Sequence, residues 1–447
     1  MYQVPQHIDK NKIFIVQRSE IERRLEPGFY KPSISDMEKI IREKSSRKLR
    51  DYALSISGGA TPKKTESDKY YADKGTGIPF LRVQNLNTDG TLSLDDCLYI
   101  NNDTHEGMLQ RSQVAEGDLL VKITGVGRMA VASVAPEGFI GNTNQHMVVI
   151  KTGSAETSKY LSRYLNLDII EKIASRHSTG GTRPALDYPS VKNLPIIEGI
   201  DFSPIDRAIE IKKQKESEAQ KLLDSIDAYI LNELGITLPE IKTDLKSRMF
   251  LVNRSELESR LDPEYKLYVN EEYKSKKYES FSLGRIASIC KGTALSSKSI
   301  KSGNIPVIAG GQSSPYCHNE YNFDGNVITI SASGAYAGYV WYHENPIFAS
   351  DCSVVYSKNE AKFSTRYISE VLKALQPIIY RLQVGAAQPH VYPADVKNIF
   401  IPSIYVSEQT KIIKQVNAIR QQAKQLQKEG RAILENAKKE VEQMIIG

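Results

Sequence analysis

Two stretches of this chain, 236 residues apart, are nearly the same sentence: FIVQRSEIERRLEP (14–27) and FLVNRSELESRLDP (250–263) share nine of fourteen positions. Several of the differences are conservative, with Ile/Leu twice and Glu/Asp once. A repeat with so long a period is a duplication of whole domains, not a solenoid of short units. The rest of the chain follows suit. STGGTRPALDYPSVKN (178–193) parallels QVGAAQPHVYPADVKN (383–398) with a one-residue slip, and GDLLVKITGVG (117–127) parallels GNVITISASGAYAG (325–338). Each half runs in one order: entry segment, globular part, Gly-rich loop, long helix.

A length of 447 residues accommodates two large domains. The chain is 40% hydrophobic and 25% charged, an ordinary globular balance. No apolar run approaches the roughly eighteen residues of a membrane span. Residues 1–12 lack a hydrophobic signal core, so the expected location is the cytoplasm, with no membrane partner. Cys97, Cys290, Cys317 and Cys352 form no CxxC pair and do not match between halves, so neither a disulfide framework nor a metal site is expected. A net charge of +6 permits a polyanionic partner without requiring one.

The coarse pattern is mixed α/β (α+β). Residues 1–47 read as an entry segment, a strand followed by a helix over 36–46, and residues 237–281 as its repeat. Residues 48–200 and 282–402 read as the two globular domains. Strands are expected at 49–57, 77–86, 117–125 and 145–151. Single helices are expected at 159–176 and, kinked at Pro377, at 365–383. Residues 201–236 and 403–447 read as two long helices. Ser203 suits an N-cap there, with Pro204 and Asp206 in the first turn. The first carries an apolar seam through Ile205, Ile209, Ala219, Leu223, Ile226 and Ile230. The second carries Ile412, Val416, Ile419, Ala423, Leu426, Gly430, Ile433, Ala437 and Met444. Such spacing marks a coiled coil. Residues 203–234 hold five basic and seven acidic side chains, and residues 407–446 hold eight and five, so the two are complementary. If a pseudo-twofold relates the halves, they pair antiparallel.

Catalytic signatures are missing. There is no GxGxxG, GxxxxGK[ST] or GxSxG, and no motif pair for adenine methylation. What recurs is Gly-flanked polar loops at strand ends: 57–64, 82–85, 122–128, 142–146 and 178–183 in the first half; 291–293, 310–312, 331–336 and 388–390 in the second. They present Lys63, Lys64, Arg82, Gln84, Asn85, Lys122, Thr124, Arg128, Asn144, Gln145 and Arg183, then Lys291, Gln312, Ser331, Ser333, Tyr336, Gln388 and His390. Side chains of these types bond base edges and phosphate oxygens, and glycine lets the backbone approach a phosphate. Ordinary turns also need Gly, Ser and Asn. Entry segments and long helices are alike in both halves, whereas residues 60–175 and 293–380 have drifted. That pattern suits two modules reading two different things.

SGGATPKK (57–64) ahead of GIPFLRVQNL (77–86), and GAAQPHVYPADVKNIFIP (385–402) ahead of a long helix, give the chain a resemblance to the specificity subunits of type I restriction-modification systems. The first copy departs from the pattern, with Arg183 for the glutamine and Asp187 inserted after Leu186; the second has only Lys291-Gly292-Thr293 for the Gly-Gly-Thr-Pro run. The resemblance implies two target recognition domains separated by an antiparallel coiled coil, and a non-catalytic reader of double-stranded DNA. It implies two methyltransferase subunits as partners and, through them, restriction subunits. S-adenosylmethionine and ATP would belong to those partners, and this chain would bind neither. A helix of about thirty residues spans about 45 Å and half-sites on one DNA face lie about 34–36 Å apart, so the helices are expected to act as a ruler. Two alternatives stay open: a related system whose partner fuses methylation and cleavage, or an enzyme with a site around Cys317, His318 and Asp351.

Overall fold

The computed structural model describes residues 5, 9–22, 24–45, 47–239, 251, 273–314, 316–385 and 388–447, without the side chains of Lys64 and Ser297. The second repeat copy, 250–263, therefore lies outside the described residues, Leu251 apart. Two compact units divide the chain. One comprises residues 1–215 with 428–447, and the other residues 216–427. Each long helix is thus shared between them.

In unit 1, LLVK and MVVIK are apolar without alternation because both faces of these strands are buried. Eight strands form two sheets: β1 (Ser55–Gly58), β2 (Ile78–Leu81), β3 (Leu98–Ile100), β4 (Gln113–Ala115), β5 (Leu119–Lys122), β6 (Ala132–Val134), β7 (Ile140–Thr143) and β8 (Met147–Lys151). One sheet has the order β1-β8-β5-β6, the other β3-β2-β7-β4. All pairs are antiparallel except β2 with β7. From the central strands, Leu119, Val121, Val148 and Ile150 enter the larger core with the helices. Leu120, Met147 and Val149 enter a second cluster with Leu81 and Val114.

Unit 2 repeats this plan with β9 (Ala287–Lys291), β10 (Ile305–Ile308), β11 (Tyr316–His318), β12 (Val327–Ser331), β13 (Val340–His343), β14 (Phe348–Ala349) and β15 (Cys352–Ser357). The four-stranded sheet is β9-β15-β12-β13 and the smaller is β11-β10-β14, again with one parallel pair, β10 with β14. Strand by strand the orders correspond, and among the described residues β4 alone lacks a counterpart. Ile328, Ile330 and Val355 join the helical core, while Val327, Cys352 and Val354 face the other way.

Helices cover one face of each four-stranded sheet. The single helix expected at 159–176 is two, α2 (Ala155–Leu165) and α3 (Asp168–His177). Asn166 makes the break: its side-chain NH2 donates to the Ala132 carbonyl (2.6 Å) and its oxygen accepts from the Ala132 amide (3.2 Å). In unit 2, α6 (Thr365–Ala374) and α7 (Gln376–Tyr380) are likewise separate. Gln376 accepts from the Val340 amide (2.9 Å) and donates to the Gly338 carbonyl (2.7 Å). The kink expected at Pro377 falls beside it. Among the described residues the entry segment forms no strand ahead of its helix; after a turn at Arg18–Glu20 it leads to α1 (Pro32–Lys44), and only then does Arg47 pair with Ile196.

The first long helix, α5, spans Ser203–Leu234, and the second, α9, spans Val406–Ile446. Ser203 is held by Asp201, which accepts from its amide and hydroxyl at 2.8 and 2.9 Å. In unit 1 Ile205 and Ile209 share a core with Leu434, Ala437, Val441 and Ile445. Lys215 pairs with Glu429 at 2.6 Å, and the backbone of Lys212 lies against Gly430, an antiparallel order. In unit 2 Ile226 and Ile230 share a core with Ile412 and Val416, and Leu223 and Ile419 pack against it. Ala423 is buried and Leu426 half-buried; beyond Gly430 the seam leaves the heptad. Ile433 is only partly covered, Leu434 replaces it, and Met444 is 69% exposed while Val441 and Ile445 are buried. A straight helix drifts by about 20° per heptad from a 3.5-residue repeat, and here its last turns face a globular core.

Candidate nucleic-acid interface

The Gly-rich loops close onto strand ends in the same way in both units. In unit 1 the loop after α3 pairs with itself across Thr179 and Ala185, and Ala185 bridges to Thr124 just beyond β5. In unit 2 Val384 pairs with His390, and His390 bridges to Ser333 just beyond β12. Gly125 donates its amide to the Pro184 carbonyl (3.1 Å), as Gly334 does to Pro389 (3.0 Å). Gly180 and Gly385 sit at φ +96° and +101°. A Cβ there would fall 3.1 Å from the Arg183 carbonyl and 2.9 Å from that of Gln388. Glycine is needed at both for conformation and for space.

Two departures from the repeat acquire a cause. The inserted Asp187 caps α4 (Tyr188–Lys192), accepting from the Ser190 amide at 2.8 Å. In unit 2 the corresponding α8 (Pro393–Val396) starts after Tyr392 with no side-chain cap. The shortened Lys291-Gly292-Thr293 keeps the one glycine that matters. A Cβ on Gly292 would lie 2.2 Å from the Ser350 carbonyl, much as one on Gly59 would collide with that of Thr143.

The side chains expected to read DNA divide into two sets. Lys63, Gln84, Gln145, Arg183, Lys291, Gln312, Tyr336 and Gln388 are exposed; Thr124, Ser333 and His390 are partly so. Lys64 opens a short turn, Lys64–Glu66. The others face inward. Lys122, expected in a reading loop, is buried, donates to the Val126 carbonyl at 2.8 Å, and is pushed below its usual pKa by burial. Asn85 bonds the Ser93 carbonyl (2.9 Å), Asn144 accepts from the His146 amide (3.1 Å), and Ser331 is buried in the β12 ladder. Arg128 spans Asp168 and the Asn166 carbonyl, and Arg82 donates to the Asp96 carbonyl at 2.6 Å. Loop and helix-end carbonyls left outside the ladders (Val126, Ser93, Asp96, Asn166) take side chains that sequence alone would assign to solvent.

Electrostatic ties position the loops. Glu38 on α1 is 3% exposed and receives Arg42, Arg176 and His177 at 2.5–3.0 Å. Burial alone would raise its pKa, but bonds and charge from His177, Arg176 and Arg42 hold it at about 2. Arg176 stacks over Phe29 at 4.1 Å, and Arg24 donates to the Arg176 and Ser178 carbonyls at 3.2 and 2.7 Å, fixing the start of the Gly-rich loop. Asp89, in the turn closed between Asn87 and Thr91, pairs with Lys212 of α5 at 2.5 Å. In unit 2 the fully buried Glu370 receives both Nη groups of Arg420 from α9 at 2.7 and 2.6 Å.

The enzyme alternative placed Cys317, His318 and Asp351 in one site. They are not brought together. Asp351 faces a pocket of about 610 Å³ whose lining contains neither of the others. His318 is buried against Phe348 and accepts from the Lys301 amide at 3.1 Å. Among the described residues, no three His, Cys, Asp or Glu side chains are grouped to hold a metal ion, and no helix is long and apolar enough to cross a membrane.

Residues 275–436 match the family model described as type I restriction modification DNA specificity domain. That stretch is similar to such domains, in line with the resemblance read from the sequence. Among solved structures, the chain is similar to the type I restriction-modification S subunit from M. genitalium, at 16% identity and a TM-score of 0.40, covering 88% of this chain and 95% of that one. It is also similar to the HsdS subunit from Thermoanaerobacter tengcongensis, at 14% identity and a TM-score of 0.35, covering 90% and 95%. No curated protein matches the sequence.

Proposed function

We propose that the chain is the specificity subunit of a type I restriction-modification complex: a cytoplasmic, non-catalytic protein that binds a split, asymmetric DNA site. Its partners are two methyltransferase subunits and, through them, restriction subunits. S-adenosylmethionine and ATP act on those partners. The observation that carries this reading is the repeated closure of a Gly-rich loop onto the strand ends. Both units build it from one set of backbone bridges, yet carry different side chains on its loops, with Thr124, Gln145 and Arg183 in one and Ser333, Lys291 and Gln388 in the other. One frame with two linings reads two different short blocks. Exposed Lys63, Arg183 and Lys291 supply phosphate contacts, and Gln145, Gln388 and His390 face base edges.

The test is methyl transfer from S-adenosylmethionine to a library of DNA duplexes, with the chain alone and with its cognate methyltransferase. Transfer is expected only with the partner, and only at two blocks separated by a constant gap. Methylation by the chain alone, or partner-dependent methylation without sequence preference, overturns the proposal. Replacing Lys63, Arg183 or Lys291 by Ala should weaken binding to all sequences and lower the salt slope by about one each.

A further inference from the structure

The hydrogen-bond register aligns two residues that the sequence repeat alone does not. In unit 1 the last paired residues of β5 and β8 are Lys122 and Met147, and the carbonyl of the preceding His146 accepts from Ile123 and Thr124 at 3.0 and 3.2 Å. In unit 2 the corresponding pair is Ser331 and Cys352, and the carbonyl of the preceding Asp351 accepts from Ala332 at 3.2 Å. Leu186 then bonds back to Ile123 (2.8 Å), as Val391 does to Ala332 (3.0 Å). His146 and Asp351 therefore occupy the same strand-end position beside the same loop.

Their chemistry is opposite. Asp351 is exposed, faces the pocket beside Lys291, His390 and Tyr392, and has no ion-pair partner among the described residues. The Ser333 hydroxyl donates to its Oδ2, which leaves Oδ1 open. A carboxylate held next to DNA is repelled by phosphates, so it is favourable only opposite a donor. In the major groove those donors are the exocyclic amino groups of cytosine (N4) and adenine (N6). His146 instead stands beside Gln145, whose side-chain nitrogen is 3.4 Å from the imidazole Nε2. Its neutral form is favoured by burial and by the charge of Arg183.

We propose that this strand-end position sets the base preference of each domain, with Asp351 of the second domain accepting a hydrogen bond from an amino-bearing base. The inference rests on the DNA-reading function proposed above and names the residues that select within it.

The experiment is selection from randomised duplexes by the full chain assembled with its methyltransferase, comparing wild type with D351A, D351N and H146A. Wild type should return two blocks. D351A should lose its preference for cytosine or adenine at one position of one block, with discrimination there falling roughly 5- to 150-fold. The other block should be unchanged. D351N, nearly isosteric and able to donate, should admit guanine or thymine at that same position. H146A should alter only the other block. If wild type selects two blocks and both Asp351 variants return them unaltered, this inference fails while the DNA-reading function stands. Uniform loss of binding to all sequences by both variants, with an unchanged circular dichroism spectrum, also overturns it. If wild type selects no sequence, the function itself falls.

Discussion

Glu38→Gln isolates the charge that anchors the entry segment to the first domain. The carboxylate sits among Arg42, Arg176 and His177, its side chain 4% exposed. Its pKa falls from 4.5 to about 2 on folding. At about 1.36 kcal/mol per unit, the ionised group contributes about 3 kcal/mol near neutral pH. The glutamine keeps the volume and one acceptor but leaves the Arg176 guanidinium, 11% exposed, without its counter-charge. The variant should lose about 3 kcal/mol in urea unfolding at pH 7, or roughly 6–12 °C in Tm for a unit of this size. The folded pKa is the lower one, so the contribution is complete above pH 4.5 and fades as pH falls toward 2. The gap between wild type and variant should therefore narrow below pH 4.5. A loss under about 1 kcal/mol at pH 7, or a gap unchanged between pH 6 and pH 3, refutes the assignment. Because Arg176 and Arg24 hold the loop beginning at Ser178, weaker DNA binding should accompany the lost stability.

V441A and I445A should each cost roughly 2–4 kcal/mol in thermal melts, whereas M444A should stay within about 0.5 kcal/mol; equal effects would restore a heptad seam to the end of the helix. G180A and G385A should each destabilise the chain, by about 1–2 kcal/mol from the left-handed backbone alone, and each should impair selection of a different DNA block. Burial lowers the pKa of Lys373 to about 8, with Glu370 partly offsetting it. The unfolded chain therefore holds that proton more tightly, and stability measured by urea midpoint should rise from pH 8 toward 10.5 in wild type but not in K373M.

Much of the architecture is legible in the sequence because a duplication prints each instruction twice. Gly180 and Gly385 align by eye, and the structure gives them one φ. The long helices announce themselves by their apolar period. The misses have local causes. Asn166 and Gln376 split the helices by bonding strand backbone that is distant in sequence, which no helical periodicity records. Met444 fits a heptad, but past Gly430 the helix answers to a globular core as well as to its partner helix. At the strand ends, residue type identifies which loops are polar. It does not separate Arg183, which is exposed, from Arg128, which is tied to Asp168. Aligning QHMVV (145–149) with DCSVV (351–355) sets Asp351 opposite Gln145, and only the strand register moves it by one residue to His146.

Leu434, Ala437, Val441 and Ile445 complete the core of the unit that begins the chain. The half that leaves the ribosome first is therefore the last to be finished. Until the final turns of α9 emerge, Ile41, Leu49, Ile169 and Ile205 lack part of their cover. The second unit ends at Gln427 and needs nothing after it. Synthesis order and completion order run opposite ways, so a stop just after Gln427 exposes the core of the first unit, not the second. Such a product presents sticky apolar surface for aggregation or proteolysis, and only a chain translated through α9 has two finished cores.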